Sequence, residues 1–146
     1  MKKTCAFCTK PEIKKRVVYE DKLVFAFPTY IPITPGHMLL CPVRCVSTIS
    51  ELTAEELLAL FALRERITSG LKRAFGAEGF NCAWNEGEVA GQDVLHLHLH
   101  VVPRKQDDTG ITEYEPRKFL YRPGSRDPSP EQELESVSEL VKEAFL

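Results

Sequence analysis

Residues 90–104 read AGQDVLHLHLHVVPR, and His96, His98 and His100 in it are three of the four histidines in the chain. In a strand, side chains at i, i+2 and i+4 point to one face. The stretch therefore predicts a strand from Asp93 to Pro103, with the three imidazoles on one side and Leu97, Leu99 and Val101 on the other. The leucine side reads as the core face, which puts the imidazoles on the opposite surface. Three chemistries fit such a row: a polar strand exterior, a metal site, or a nucleophile with helpers. Same-face Cα atoms are roughly 6.5–7 Å apart along a strand. Three imidazoles in one row thus converge poorly on one ion, and a metal on one of them, completed from elsewhere, is easier to build. A neutral imidazole can also attack phosphorus, provided its other ring nitrogen is tied down and donors await the phosphoryl oxygens.

FNCAW (80–84) reads as a neighbouring strand, with NEGEVAGQ (85–92) between as a loop whose glycines let backbone amides approach a phosphate. RVVYEDKLVFAFP (16–28) holds two β-rich runs broken at Glu20-Asp21-Lys22, a hairpin. The proline-rich stretch 29–37 is a loop ending at Pro35-Gly36-His37, and MLLCPV (38–43) is a short apolar strand. Thr53-x-x-Glu56 is a capping box opening a helix whose stripe, Leu57, Leu60, Phe61, Arg64, Ile67, Leu71 and Phe75, ends at Gly76. A second helix is expected after Ser129 as N-cap with Pro130 at N1, carrying Leu134, Val137, Leu140, Val141 and Phe145 on one face. Trp84, Cys41 and Cys82 read as core. The pattern is an α+β domain around an antiparallel sheet.

The chain's 146 residues suffice for one core. Its net charge of −2 provides no global field for nucleic acid or a membrane surface, so phosphate binding must be local. The basic N-terminus has no apolar run behind it, and no stretch approaches the roughly 20 apolar residues of a membrane span. The expectation is a soluble, cytoplasmic protein with no nucleic-acid and no membrane partner. Five cysteines without an export signal argue against a disulfide framework, and Cys5-x-x-Cys8 suggests metal or redox chemistry.

His-φ-His-φ-His-φ-φ, preceded by Asn85-x-Gly87 and Ala90-Gly91-Gln92 and followed by Pro103-Arg104, resembles the histidine-triad (HIT) superfamily of nucleotide hydrolases and transferases. The likeness runs upstream through VVYEDKLVFAF, PGHMLLCP and the helix from Thr53, roughly residues 5–104. It implies a HIT-like fold, an antiparallel sheet of about five strands with one long helix and a C-terminal helix. Residues 1–104 would form the core with its N-terminal zinc-binding segment, and 105–146 an arm and helix packed on the same domain.

The resemblance makes His98 the nucleophile on the α-phosphorus, forming a nucleotidyl-histidine that water resolves. His100 would contact phosphate and leaving-group oxygens, His37 would support the triad, and Asn85, Gly91 and Gln92 would face the phosphates. Thr29 replaces the usual Asp or Asn of the ribose contact, and a single hydroxyl cannot accept from two ribose hydroxyls as a carboxylate does. Asp93 replaces the usual Ser or Thr near the phosphates and is expected to turn away or act as a cap. Some bacterial members hold a structural zinc through a C-x-x-C, a later histidine and the first triad histidine. Here the corresponding set is Cys5, Cys8, Cys45 and His96, with cysteine in place of the later histidine. No organic cofactor is implied; magnesium could enter bound to the substrate.

The favoured substrates are diadenosine polyphosphates. Nucleoside phosphoramidate hydrolysis and nucleotidyl transfer or phosphorolysis use the same residues, and a non-catalytic nucleotide-binding interaction protein is the rival of another class. The resemblance also implies a homodimer paired through the long helix and the sheet edge. The arm 115–126, with Arg117, Lys118, Phe119, Tyr121, Arg122 and Arg126, either packs on its own domain or reaches over an active site.

Overall fold

The computed structural model describes residues 5–111 and 127–145; the arm 115–126 lies outside them. Five strands, β1 (Tyr19–Glu20), β2 (Val24–Pro28), β3 (Met38–Pro42), β4 (Gly79–Ala83) and β5 (Leu99–Arg104), form one antiparallel sheet in the order β1-β2-β3-β5-β4. The expected hairpin is present. Asp21 closes it by accepting the amides of Leu23 and Val24 on Oδ1 at 2.7 and 2.9 Å, the side-chain turn that suits aspartate there.

One face of the sheet bears Val24, Ala26, Met38, Leu40, Leu99 and Val101, which pack with the long helix α3 (Ala54–Phe75) and the C-terminal helix α4 (Glu131–Ala144). The capping box at Thr53 forms as the sequence predicts, and Gly76 ends α3 in the left-handed conformation with φ 66°. The buried stripe is turned slightly from the expected one: Leu60, Leu63, Ile67, Gly70 and Leu71 are inside, whereas Phe61 is exposed. The other face carries Phe25, Phe27, Leu39 and Cys41, against which Ile13 and Phe7 pack. Those two come from short N-terminal helices, α1 (Ala6–Thr9) and α2 (Pro11–Lys15).

Several expectations need correction. The ladder of β5 begins only at Leu99, so His96 and His98 precede it, and the strand passes through Pro103 to Arg104. Pro103 is tolerated because its carbonyl turns to the Thr34 hydroxyl at 2.8 Å, beyond the end of β3. The missing N–H falls on that same unpaired side. Helix α4 is capped by Pro130, one residue later than Ser129, without a side-chain bond, and the Ser129 amide donates to the Tyr30 carbonyl at 2.8 Å. Leu140 is exposed rather than on the packed face. Cys82 and Trp84 are exposed as well, because β4 is an edge strand with one open face.

Glu56 closes the capping box and binds Arg44, through Nε and Nη2, at 2.7 and 2.8 Å. The Arg44 bonds lead in holding its carboxyl down from 4.5 to about 2, with the Thr53 amide assisting. A depressed carboxyl adds stability above its unfolded value and loses it as pH falls from 4.5 towards 2. Arg44 is half-exposed, so screening keeps the gain small. Glu56→Gln is expected to cost about 1 kcal/mol in urea unfolding near neutral pH. The gap should narrow through that acid window; a constant gap would contradict the assignment.

Candidate active site and metal centre

The histidine face is opposite the main core, as the alternation predicts, but it is not an open surface. His96, His98 and His100 are 0, 4 and 1 % exposed: Phe7 of the N-terminal segment covers the first two, and His37 packs against the third. Burial makes each ring choose its partners, and those partners fix where its proton sits.

His96 Nε2–H donates to the Pro42 carbonyl at 2.7 Å, since a carbonyl can only accept. Its Nδ1 is left as a lone pair, 3.2 Å from Cys5 Sγ and 3.5 Å from Cys8 Sγ. The turn of α1 wraps both thiols to one side through bonds from the Cys8 and Thr9 amides to the Cys5 carbonyl. With Cys45, the four donor atoms lie within 4.8 Å of one another. Three sulfurs and one imidazole nitrogen are a tetrahedral zinc donor set, and the carbonyl on the far nitrogen is the usual outer support of such a ligand. Desolvation of the Cys8 sulfur, reinforced by the bond to Cys5, pushes that thiol up to about 12. The Cys8 thiol is thus protonated at neutral pH, and a dication binding it must displace that proton.

His98 Nδ1–H donates to the His96 carbonyl at 2.7 Å. With the hydrogen on Nδ1, the ring's lone pair is on Nε2. His37 comes from the PGH turn, closed by its own amide to the Thr34 carbonyl at 3.1 Å. Gly36 in that turn has φ 91°, and a Cβ there would meet Leu71 and Phe75 at 3.0 Å. His37 Nδ1 accepts the Ile33 amide at 3.1 Å, so Nε2 carries the hydrogen and donates to His100 Nδ1 at 2.9 Å. That leaves His100 with Nε2–H as a donor. The His98 and His100 rings are 5.0 Å apart, so a lone pair and an N–H stand side by side.

The loop residues serve mainly to hold shape. Gln92, 1 % exposed, accepts the Gly87 amide at 2.8 Å and donates to the Ser47 carbonyl at 2.9 Å. The amides of Gly91 and Gln92 close a 3-10 turn onto the Glu88 and Gly87 carbonyls. Asn85 Nδ2 reaches the Gly91 carbonyl at 3.5 Å, and Gly91 itself has φ 95°. Thr29 is fully buried, its amide donating to the His37 carbonyl at 3.1 Å. It lines a cavity of about 540 Å³ together with Phe7, Ile13, Arg16, Phe27 and Leu39. Asp93 is exposed and also lines this cavity. Sequence reading missed Phe7 and Arg16. Phe7 lies between the two cysteines of C-x-x-C, which was a usable signal; Arg16 offered none.

The HIT domain family matches residues 10–107. This chain belongs to the HIT family. Among its relatives is a bis(5'-adenosyl)-triphosphatase of Dictyostelium discoideum, 32 % identical over 134 residues, which span 90 % of this chain and 87 % of that protein. A bis(5'-nucleosyl)-tetraphosphatase (asymmetrical) of Schizosaccharomyces pombe is 36 % identical over 102 residues, 70 % of this HIT chain and 56 % of that protein. Among solved structures, a Zn-bound histidine triad family protein from Mycobacterium smegmatis superposes with a TM-score of 0.73 at 28 % identity, covering 97 % of this chain and 93 % of that one. Among the described residues of this HIT protein, no helix is long and apolar enough to cross a membrane.

Proposed function

We propose that this chain, a HIT-family nucleotide hydrolase, cleaves dinucleoside polyphosphates, diadenosine polyphosphates among them, by attack of His98 Nε2 on the α-phosphorus. The observation that carries the reading is the 2.7 Å bond from His98 Nδ1 to the His96 carbonyl. It orients the lone pair and stabilises the imidazolium that forms when the other nitrogen is substituted.

In the first displacement the Nε2–P bond forms and the bond from phosphorus to the bridging oxygen breaks. His100 Nε2–H donates a hydrogen bond to that oxygen as it takes up the negative charge, and His37 holds His100 in the tautomer that can do so. In the second, water attacks phosphorus, the P–N bond breaks to regenerate neutral His98, and the water's proton leaves with AMP to the solvent. Gln92 and Asn85 hold the loop that faces the phosphates, Gly91 supplies its left-handed turn, and Thr29 lies where a ribose would pass. Cys5, Cys8, Cys45 and His96 would hold a structural zinc, which when bound cross-links the N-terminal turn to the strands beneath it. His96 then serves the metal through its ring and the nucleophile through its carbonyl.

The homodimer reading rests on Leu58, Phe61 and Trp84, which are 72, 44 and 41 % exposed on α3 and just beyond the β4 edge. Sedimentation should give twice the chain's mass, and a monomer would remove this part. For the reaction, product analysis in ¹⁸O-water with diadenosine triphosphate is expected to place the label in AMP. Label in ADP would mean attack at another phosphorus. Parallel assays with adenosine phosphoramidate and with added inorganic phosphate test the P–N and phosphorolysis alternatives.

A further inference from the structure

Arg16 lines the cavity beside Thr29 and Tyr30, and its side chain is only 4 % exposed. Nε–H donates to the Pro28 carbonyl at 3.0 Å and Nη1–H to Glu131 Oε1 at 2.7 Å. A guanidinium has five N–H donors, so three lack an acceptor among the described residues. Arg16 lines the cavity, so these donors can meet acceptors of a group that sits there. Phe7 and Phe27 form a wall between Arg16 and the nucleophile. Phe7 stands 5.1 Å from the His98 ring and 5.2 Å from Phe27, and the Arg16 guanidinium is 5.9 Å from the Phe27 ring. A nucleotide with its α-phosphorus at His98 would run its ribose past Thr29 and lay its base along this wall, ending at Arg16.

We propose that Arg16, held in plane by Glu131, reads the edge of that base and that the site prefers a 6-oxopurine, guanine, in the transferred nucleotide. The inference rests on the nucleotide-hydrolase reading above. A guanidinium fork matches two adjacent acceptors, and O6 and N7 of guanine provide them. Adenine presents N7 beside an amino group, a donor facing a donor. Glu131, 41 % exposed at its side chain, also brings a carboxylate to the same end, suited to accept the N1–H of a 6-oxopurine.

The test compares kcat/KM for diguanosine, diadenosine, diinosine and di-7-deazaguanosine triphosphates with the wild-type protein. Guanosine is expected to exceed adenosine by about tenfold or more. Inosine should retain most of the preference, and 7-deazaguanosine should lose much of it. In Arg16→Met the guanosine and adenosine substrates should converge to within about twofold, mainly through KM. The analogue series needs no variant, so it decides the matter even where Arg16→Met fails to fold. Equal or better turnover of adenosine, or full activity of the 7-deaza substrate, overturns the base assignment alone. Turnover of none overturns the hydrolase reading with it.

Discussion

His98→Ala is expected to lower turnover of a dinucleoside polyphosphate by on the order of 10⁴-fold or more. The loss follows because the lone pair that attacks phosphorus is gone, while the neighbours that hold the site remain. His98 packs edge-on against Phe7, so truncation leaves a small void and a modest loss of stability. KM should change little, since the cavity walls of Phe7, Phe27 and Leu39, proposed to hold the nucleoside, are untouched. His100→Ala should cost less, about 10²–10³-fold, because water can hydrogen-bond a leaving oxygen more readily than it can replace a nucleophile. Single-turnover assays check both, and full activity of His98→Ala would remove the mechanism.

Loss of the metal ligands is the second large effect. Cys8→Ser or Cys45→Ser is expected to reduce zinc content below one ion per chain and to lower Tm by about 10 °C, equivalent to roughly 3 kcal/mol for a domain of this size. The loss is smaller than for a zinc-dependent mini-domain because the core between sheet, α3 and α4 is independent of the four donors. Metal uptake should also release protons, measurable in a weakly buffered solution, because the Cys8 thiol is pushed up to about 12 before binding. Metal analysis with thermal unfolding decides it. Unchanged zinc content and Tm in Cys45→Ser would remove Cys45 from the ligand set.

Most of the fold was legible where local chemistry is strong. The Asp21 turn, the Thr53–Glu56 box and Gly76 each satisfy backbone groups within a few residues, so a local pattern announces them. The shared face of the three histidines followed from strand alternation, even though the ladder begins only at Leu99. Burial of that face was not legible. The cover comes from helices of four and five residues, too short to show periodicity. Trp84 and Cys82 misled for a related reason: FNCAW looks like core, but sheet order puts it at an edge. Arg16 was hidden because its meaning depends on Glu131, which is 115 residues away.

The central claim is a covalent nucleotidyl group on His98. It is tested most directly by mixing the protein with excess diadenosine triphosphate, quenching in alkali, which spares P–N bonds, and mapping the adduct by mass spectrometry. The account predicts an adenylyl group on the peptide containing His98, absent from His98→Ala and lost as AMP forms. Rapid turnover with no adduct at any time point, or an adduct on another residue, would contradict it.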